Sequence, residues 1–469
     1  MRSDIKNILG LLGLSLIFRI LSLDQSLWLD EATGILVARN LSFSEIIREF
    51  SPGDFHPPLY YLVLKLWINL FGASEIAARS LSVFFGISTV LVTYKLASLL
   101  FNRAVGVVAG ILLATAPLHI YYSQEARMYA METFLAALVV LVFTKIYLSK
   151  EIRAGLWILL GLSSVALLYT DYLPYLIFIF LAVVLLWERK LLKKYGRFWG
   201  TVVIGLIASF LPWWSTFINQ IEVGTLAKEN TPLWWQTLGR TNLKQLLLIP
   251  VKFLIGRISF YDKTFYSGFV ALYGFIFSIP LFLSLKNFSK AKFVWLWLFI
   301  PLTGAVLMGW FASGLSYFRL IFLLPPFYIL LAWGLFHIRN TKTRTLLGAT
   351  IVLLNGLAAT IYLSNPRFHR EDWRSAVSWI EQDAKGQNAA SAFVTNSQQD
   401  PYKYYSKTVP SYGPGGLNRG DFEKIYLFRY VQPIFDPHDN VRKAVESADF
   451  LKTDERDFNG VTIWEYERI

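Results

Sequence analysis

The sequence contains no cysteine. Disulfides, thiolate metal sites and cysteine nucleophiles are therefore excluded. Charge is also scarce: 16% of the 469 residues are Asp, Glu, Lys or Arg, against about 25% in a soluble domain. A third absence concerns the first apolar run, "ILGLLGLSLIFRILSL". No small-residue cleavage site follows it, and further runs do, so it is expected to stay as a first helix and not to act as a signal peptide.

What the chain does contain is apolar surface. Hydrophobic residues make up 55% and aromatics 16%, with 16 Trp and a mean hydropathy of +0.44. That composition predicts a polytopic membrane protein with a tail. From Asn365 onward the character changes to mixed charge, Asn, Gln and short amphipathic pieces. From Ser364 to the end there are 14 basic and 16 acidic residues, a net of −2, so the membrane part carries +15 against +13 for the whole chain. A basic excess of this kind fits cytoplasmic loops facing anionic lipid, and nucleic acid is not an expected partner. The expected domains are 1–364, in the membrane, and 365–469.

A helix needs about 20 mostly apolar residues to cross a bilayer. Spans are predicted near 7–23, 78–101, 104–121, 128–148, 154–170, 172–188, 198–217, 265–285, 293–311, 316–337 and 344–363. The segment "PPLYYLVLKLWINLFG" (57–72) is ambiguous: it is short, opens on Pro57-Pro58 and carries Lys65 centrally. Charge decides it. The basic loops 145–153, 189–197, 286–292 and 339–344 hold 14 Lys or Arg. If 57–72 does not span, all four share the side of Arg2 and Lys6, which the positive-inside rule makes cytoplasmic. The segment is therefore expected to lie along the outer interface, giving about eleven spans. Segments 24–77, 121–127, 218–264 and 312–316 and the tail are then extracytoplasmic, in a plasma (inner) membrane.

That face collects unusual residues. "SLWLDEATG" (26–34) sets Asp30 beside Glu31, and Asp54 and His56 follow in the same loop. "YYSQEARMYAME" supplies Gln124, Glu125, Arg127, Tyr129 and Glu132. Glu125 and Glu132 are seven apart, so a helix there would place both on one face. "SYFRLIFLLPPF" puts Arg319 at a boundary, and ionisable groups at membrane depth are costly and usually face a cavity or a partner. Each has a plainer reading. Asp30 and Glu31 suit the first turn of a helix, Glu125 and Arg127 suit a local ion pair, and His56 suits a turn. Arg19 and Arg319 suit snorkelling, or internal pairing for Arg19. Trp213, Trp214, Trp234 and Trp235 suit an aromatic belt. Convergence on one face favours function. A carboxylate there can act as general base on an acceptor, and Arg can neutralise a phosphate. Acids near a His could also hold a divalent cation. Such a set suits group transfer from a lipid phosphate.

Four stretches carry a family resemblance: "LWLDEA", "DFHPPLYYLVLKLW....FG.SE.AAR", "YYSQEARMYAMETF" and "YFRLIFLLPPFYILLAWG". Across roughly residues 7–340 the chain resembles the C-type (GT-C) glycosyltransferases that use polyprenyl-phosphate sugars, in the branch of protein O-mannosyltransferases and aminoarabinose transferases. The resemblance implies an all-α polytopic fold with interfacial helices in the first external loop, followed here by a small soluble α/β domain. It implies a cell-envelope enzyme of hexosyl or pentosyl transfer, from a polyprenyl-phosphate monosaccharide to a glycan, lipid or protein acceptor, inverting at the anomeric carbon. Asp30 resembles the catalytic acid of the first loop, and Glu31 shares its motif. Glu125 and Glu132 stand near a second acidic position. His56 falls where some relatives carry a Lys that meets the donor phosphate. Arg319, preceded by Tyr317, resembles an Arg suited to the carrier phosphate, with Arg127 and Tyr129 beside the donor. Some relatives use a divalent metal, others none. The rival reading is a lipid-linked sugar flippase or secondary transporter, which would place its charges nearer the midplane and show matching halves.

In the tail, "DWRSAVSWIEQDAK", "QDPYKYYSK" and "VRKAVESADF" read as helices, and "AASAFVTN", "KIYLFRYV" and "GVTIWEYER" as strands. "SYGPGG" (411–416) reads as a plain loop.

Overall fold

The structure, a computed structural model, describes all residues except 1, 150, 232, 234–240, 312–314 and 417–420, and leaves the side chains of 2 and 3 undescribed. Trp234 and Trp235 of the expected aromatic belt lie outside the described residues. The membrane part is helical throughout, and each of the eleven expected spans falls on a helical segment. Among the described residues, six helical stretches are long and apolar enough to cross a bilayer, or seven counting the bent pair Arg103–Ala114 and Pro117–Ser123. Two of the six, at 42 and 49 residues, exceed the needs of one crossing. The helices Ala154–Leu168 and Leu176–Trp187 are shorter and apolar.

The ambiguous 57–72 segment is a 13-residue helix, Leu59–Phe71. At 1.5 Å per residue it extends about 20 Å, short of the roughly 30 Å hydrocarbon core. It ends at Gly72, whose φ of +89° is costly for any residue with a Cβ. Lys65 is accommodated because its Nζ donates to the Ala38 carbonyl at 3.1 Å, near the C-terminal end of helix Leu29–Asn40. A cation is favoured at that end of a helix.

The break between Arg103–Ala114 and Pro117–Ser123 is a 63° bend. Pro117 lacks an N–H, and Ala116 before it is extended, so the helix cannot continue through it. Arg19 from the first span fills the gap that results. It is fully buried and donates to the carbonyls of Ser15 and Ala114 and to Ser123 Oγ, with His119 Nδ1 at 2.6 Å. Of the two plainer readings, internal pairing holds and snorkelling does not.

One large apolar cluster unites these helices. Helices Lys263–Leu283 and Leu324–Leu335 approach closely at Gly334. A Cβ at Gly334 would sit 1.7 Å from the Pro280 carbonyl oxygen, which is backbone and cannot swing aside.

The tail folds around a five-stranded sheet ordered β2-β1-β3-β5-β4. β1 (Ala389–Ala392) is parallel to β2 (Ser411–Tyr412) and to β3 (Lys424–Phe428); β3 and β4 (Phe450–Phe458) are both antiparallel to β5 (Val461–Arg468). Helix Trp373–Asp383 covers one face and stacks the buried Trp373 on Phe428 at 5.4 Å. The expected strands and helices are all present, and two strands are added. "SYGPGG" is not purely a loop, since Ser411 and Tyr412 pair with β1. β4, "FLKTDERDF", has little apolar patterning because it is an edge strand, mostly exposed and held by β5 alone.

Gly334→Ala should lower the thermal midpoint in detergent, by an overpacking cost of about 1–3 kcal/mol. Gly356→Ala, where nothing lies within 4 Å of a new Cβ, should leave it unchanged. Equal midpoints for the two variants would show that the 280–334 contact is not limiting.

Candidate active site

The site is built on the first turn of helix Leu29–Asn40. Trp28 before it is extended, so the helix starts at Leu29 with Asp30 and Glu31 as first-turn acids. Adjacent helical residues point about 100° apart, and the two acids separate accordingly. Glu31 turns inward and is fully buried. It takes Arg79 Nε at 2.8 Å and Nη2 at 2.5 Å, and accepts from the Ala126 amide at 2.7 Å. Arg79 in turn donates to the carbonyls of Leu23, Gln25 and Ser26. The pair thus ties the first loop, helix Glu75–Leu100 and the turn at 126 together. Asp30 turns outward, with 39% of its side chain exposed and Arg127 Nη2 at 3.6 Å.

Arg127 begins a buried polar chain. Its Nη1 donates to Tyr61 Oη at 3.1 Å, and Tyr61 donates to Asp54 at 2.8 Å. His56 stands between Asp54, 3.4 Å from Nδ1, and Asp171, 3.7 Å from Nε2. Burial alone would raise the Asp54 carboxyl, but His56, Arg127 and Tyr61 outweigh it and hold it at about 2. Burial would lower Arg127, yet the oxygens of Tyr61, Asp30, Tyr129 and Asp54 raise it well above the usual range.

A second group centres on Glu125. The Arg370 Nη2, from the start of the tail, contacts both of its oxygens at 3.0 Å. Arg370 lies 3.7 Å over the Trp28 ring. Burial pushes Glu125 above the usual carboxylate range, against the pull of Arg370 and with Glu31 adding to the push. Arg257 donates to Tyr121 Oη at 2.6 Å and faces Arg370, Tyr317 and Tyr122. A third group brings Glu132 near Asp171 and Arg319, with Arg319 also near Tyr129. Glu132 Oε1 and Arg319 Nε are buried and make no hydrogen bond there.

Several expectations change. Glu125 and Glu132 do not share a helix face, because the helix begins at Tyr129 and Glu125 sits in the turn before it. Glu125 and Arg127 are not an ion pair; each is buried with another partner. His56 is engaged between two carboxylates and is no simple turn residue. Tyr129 packs edge-on against Tyr122 and Phe318, and Tyr317 packs against Phe318. Asp30, Glu31, Glu125, Arg127 and Glu132 do converge, joined by Arg79, Tyr61, Asp171, Arg257 and Arg370, which were not singled out. Arg79 closes the quoted "SE.AAR" stretch. Asp171 lies at the turn between two predicted spans that the topology assigns to this same face, so that signal was available. Arg370 and Arg257 carry no motif. A divalent ion has no evident home, since among the described residues no three His, Asp or Glu side chains come together in a way that could hold one.

The fold and the arrangement of charges at one end of the helices define a class: the chain has the fold of the C-type (GT-C) polyprenyl-phosphate-sugar glycosyltransferases, as the sequence resemblance implied. Residues 55–215, about a third of the chain, match the model of the dolichyl-phosphate-mannose-protein mannosyltransferase family. Among solved structures, the chain is similar to ArnT from Cupriavidus metallidurans in the apo state, with TM-score 0.61, 13% identity, and coverage of 99% of this chain and 98% of that one. The same protein bound to undecaprenyl phosphate matches at TM-score 0.62 and 13% identity, covering 98% and 97%. The archaeal oligosaccharyltransferase AglB from Archaeoglobus fulgidus, in complex with an inhibitory peptide and a dolichol-phosphate, matches at 0.57 and 12%, covering 98% and 74%. These identities carry the fold alone. No curated protein matches in sequence.

Glu31→Ala, which leaves Arg79 buried without its counter-charge, should destabilise the protein by about 3–5 kcal/mol and markedly depress its melting temperature in detergent. Asp30→Asn should not, and equal melting of the two variants would contradict the division of roles. Acid sensitivity follows from Asp54. Its folded pKa lies below the unfolded value, so its contribution is present above about pH 4 and is lost as pH falls toward about 2. Asp54→Asn should flatten that acid limb of the melting profile, and an unchanged limb would remove Asp54 from the account.

Proposed function

We propose that the protein is a membrane glycosyltransferase that moves a monosaccharide, hexosyl or pentosyl, from a polyprenyl-phosphate donor to a protein, lipid or glycan acceptor. The observation that carries this is Asp30: an accessible carboxylate, held by one arginine, beside a twin that is entirely buried. In this reading Asp30 accepts the proton of the acceptor hydroxyl or amine. The acceptor oxygen or nitrogen attacks the anomeric carbon, the bond from that carbon to the phosphate oxygen breaks, and polyprenyl phosphate leaves with inversion. Arg319, Arg257 and Arg127 are the cations offered to the leaving phosphate, and preorganised charge at such a site is the larger contribution to rate. Glu132 is a nearby buried carboxylate that faces the charge of Arg319. Tyr129 and Tyr317 wall the donor. Glu125 and Glu31 position other groups, and His56, engaged between Asp54 and Asp171, braces the Arg127 chain in place of meeting the phosphate.

The basic excess in loops 145–153, 189–197, 286–292 and 339–344 supports a plasma membrane orientation with this site and the tail extracytoplasmic. Purified protein, given labelled polyprenyl-phosphate monosaccharides and candidate acceptors, should release polyprenyl phosphate only when acceptor is present. Asp30→Asn should reduce that release by about 10²–10⁴-fold while still inserting and folding. Near-normal release by the variant would sink the role of Asp30. Transport of intact lipid without cleavage would favour a flippase.

A further inference from the structure

A second cleft lies away from this site. It holds about 520 Å³, within the roughly 300–1,000 Å³ of small-molecule sites. Three helices show where it lies. Helix Tyr129–Leu148 starts beside Arg127 and ends with Tyr147 and Leu148 in the cleft wall, 20 residues on, or about 30 Å. Helix Glu75–Leu100 carries Arg79 near one end and Leu99 and Leu100 in the cleft at the other. The segment 317–335 has Phe318 against Tyr129 and Trp333 in the cleft. The cleft is therefore one bilayer thickness from Asp30, at the opposite boundary.

Its chemistry is two-sided. The walls are apolar, formed by Tyr147, Val184, Phe293, Leu296 and Trp333. Its charged lining residues are Lys290, Lys292 and Glu188. The rim side chains Leu99, Leu148, Trp187 and Phe288 are exposed, as lipid-facing residues are in a protein of this class. Lys292 reaches Glu188 at 3.8 Å with both partly exposed. Such a pair is weak, so it leaves Lys292 able to engage a stronger anion. The mouth is net positive, and aromatic rings with lysines at a membrane boundary are the setting in which anionic headgroups are recognised.

We propose that this cleft binds an anionic phospholipid of the leaflet opposite the candidate active site, with one acyl chain between the helices and the phosphate against Lys290 and Lys292. The lipid fills a gap among five helical segments and so braces their far ends. Zwitterionic lipid offers the same tail without the net charge that the mouth selects.

Native mass spectrometry of the full-length protein in detergent, titrated with phosphatidylglycerol or phosphatidylcholine, tests this. Phosphatidylglycerol should bind roughly tenfold or more tightly than phosphatidylcholine. K290E/K292E should lose that preference. K286E/K342E, with the same charge change on residues outside the cleft, should keep it. Equal binding of the two lipids to the unaltered protein would overturn the proposal without recourse to any variant, as would retention of the preference by K290E/K292E. Displacement of phosphatidylglycerol by stoichiometric polyprenyl phosphate would overturn it by reassigning the cleft to the carrier.

Discussion

The buried pair of Glu31 and Arg79 is the interaction on which the rest of the site depends. Two charges withdrawn from water cost several kcal/mol each unless every polar atom finds a partner. Here they do. Glu31 takes two guanidinium contacts and a backbone amide, and Arg79 spends its remaining donors on three carbonyls. The geometry is therefore over-determined: the first loop, the second membrane helix and the turn at 126 cannot shift separately without leaving a charge unpaired. Because Asp30 is the next residue on the same helical turn, its direction is settled by where Glu31 points. An accessible carboxylate is aimed by its buried neighbour.

The same economy runs through the surrounding charges. Arg127 and Arg257 lean on neutral tyrosine oxygens as well as, or in place of, a carboxylate. Arg127 divides itself between Asp30 and Tyr61, and Arg257 leans on the Tyr121 hydroxyl. An anion entering the site would meet partial positive charge from more than one direction in a poorly solvated space, where such interactions are strongest. The tail takes part directly. Arg370 holds Glu125, Tyr405 accepts from the Leu27 amide at 2.9 Å, and Thr33 donates to Asp400 at 2.7 Å. Arg374 reaches Glu75 at 2.6 Å. The sheet domain thus grips both ends of the loop that carries Asp30, and its position and that of the loop are coupled.

The membrane helices reconcile two demands. Some are apolar on all sides, while several carry residues that lipid would not tolerate. Those residues are met by helix ends. Lys65 finds the carbonyl end of one helix and Arg19 fills the carbonyl end of another, because the last turn of a helix leaves acceptors without intrahelical partners. The bend at Pro117 serves the same purpose at larger scale. It opens backbone groups for Arg19 and delivers Tyr121, Tyr122 and the 124–128 turn to the site.

Patterning in the sequence by itself determined the membrane class, the helical segments on which the expected spans fall, the short helix 59–71 and most of the tail's strands. These depend on local apolar length and period, which physics reads residue by residue. It also singled out stretches that the fold brings together, since loop charge and motif assigned them to one end. Tertiary structure alone decided who pairs with whom. Nothing local distinguishes Asp30 from Glu31; the difference arises because Arg79, 48 residues away, occupies one side of the turn. Nothing near Arg370 announces that it meets Glu125, 245 residues earlier. The charged edge strand β4 lacks a local signal because its stability comes from β5. Periodicity reports which face of an element is buried, whereas ion pairs depend on where distant backbones bring single atoms, and only the folded chain specifies that.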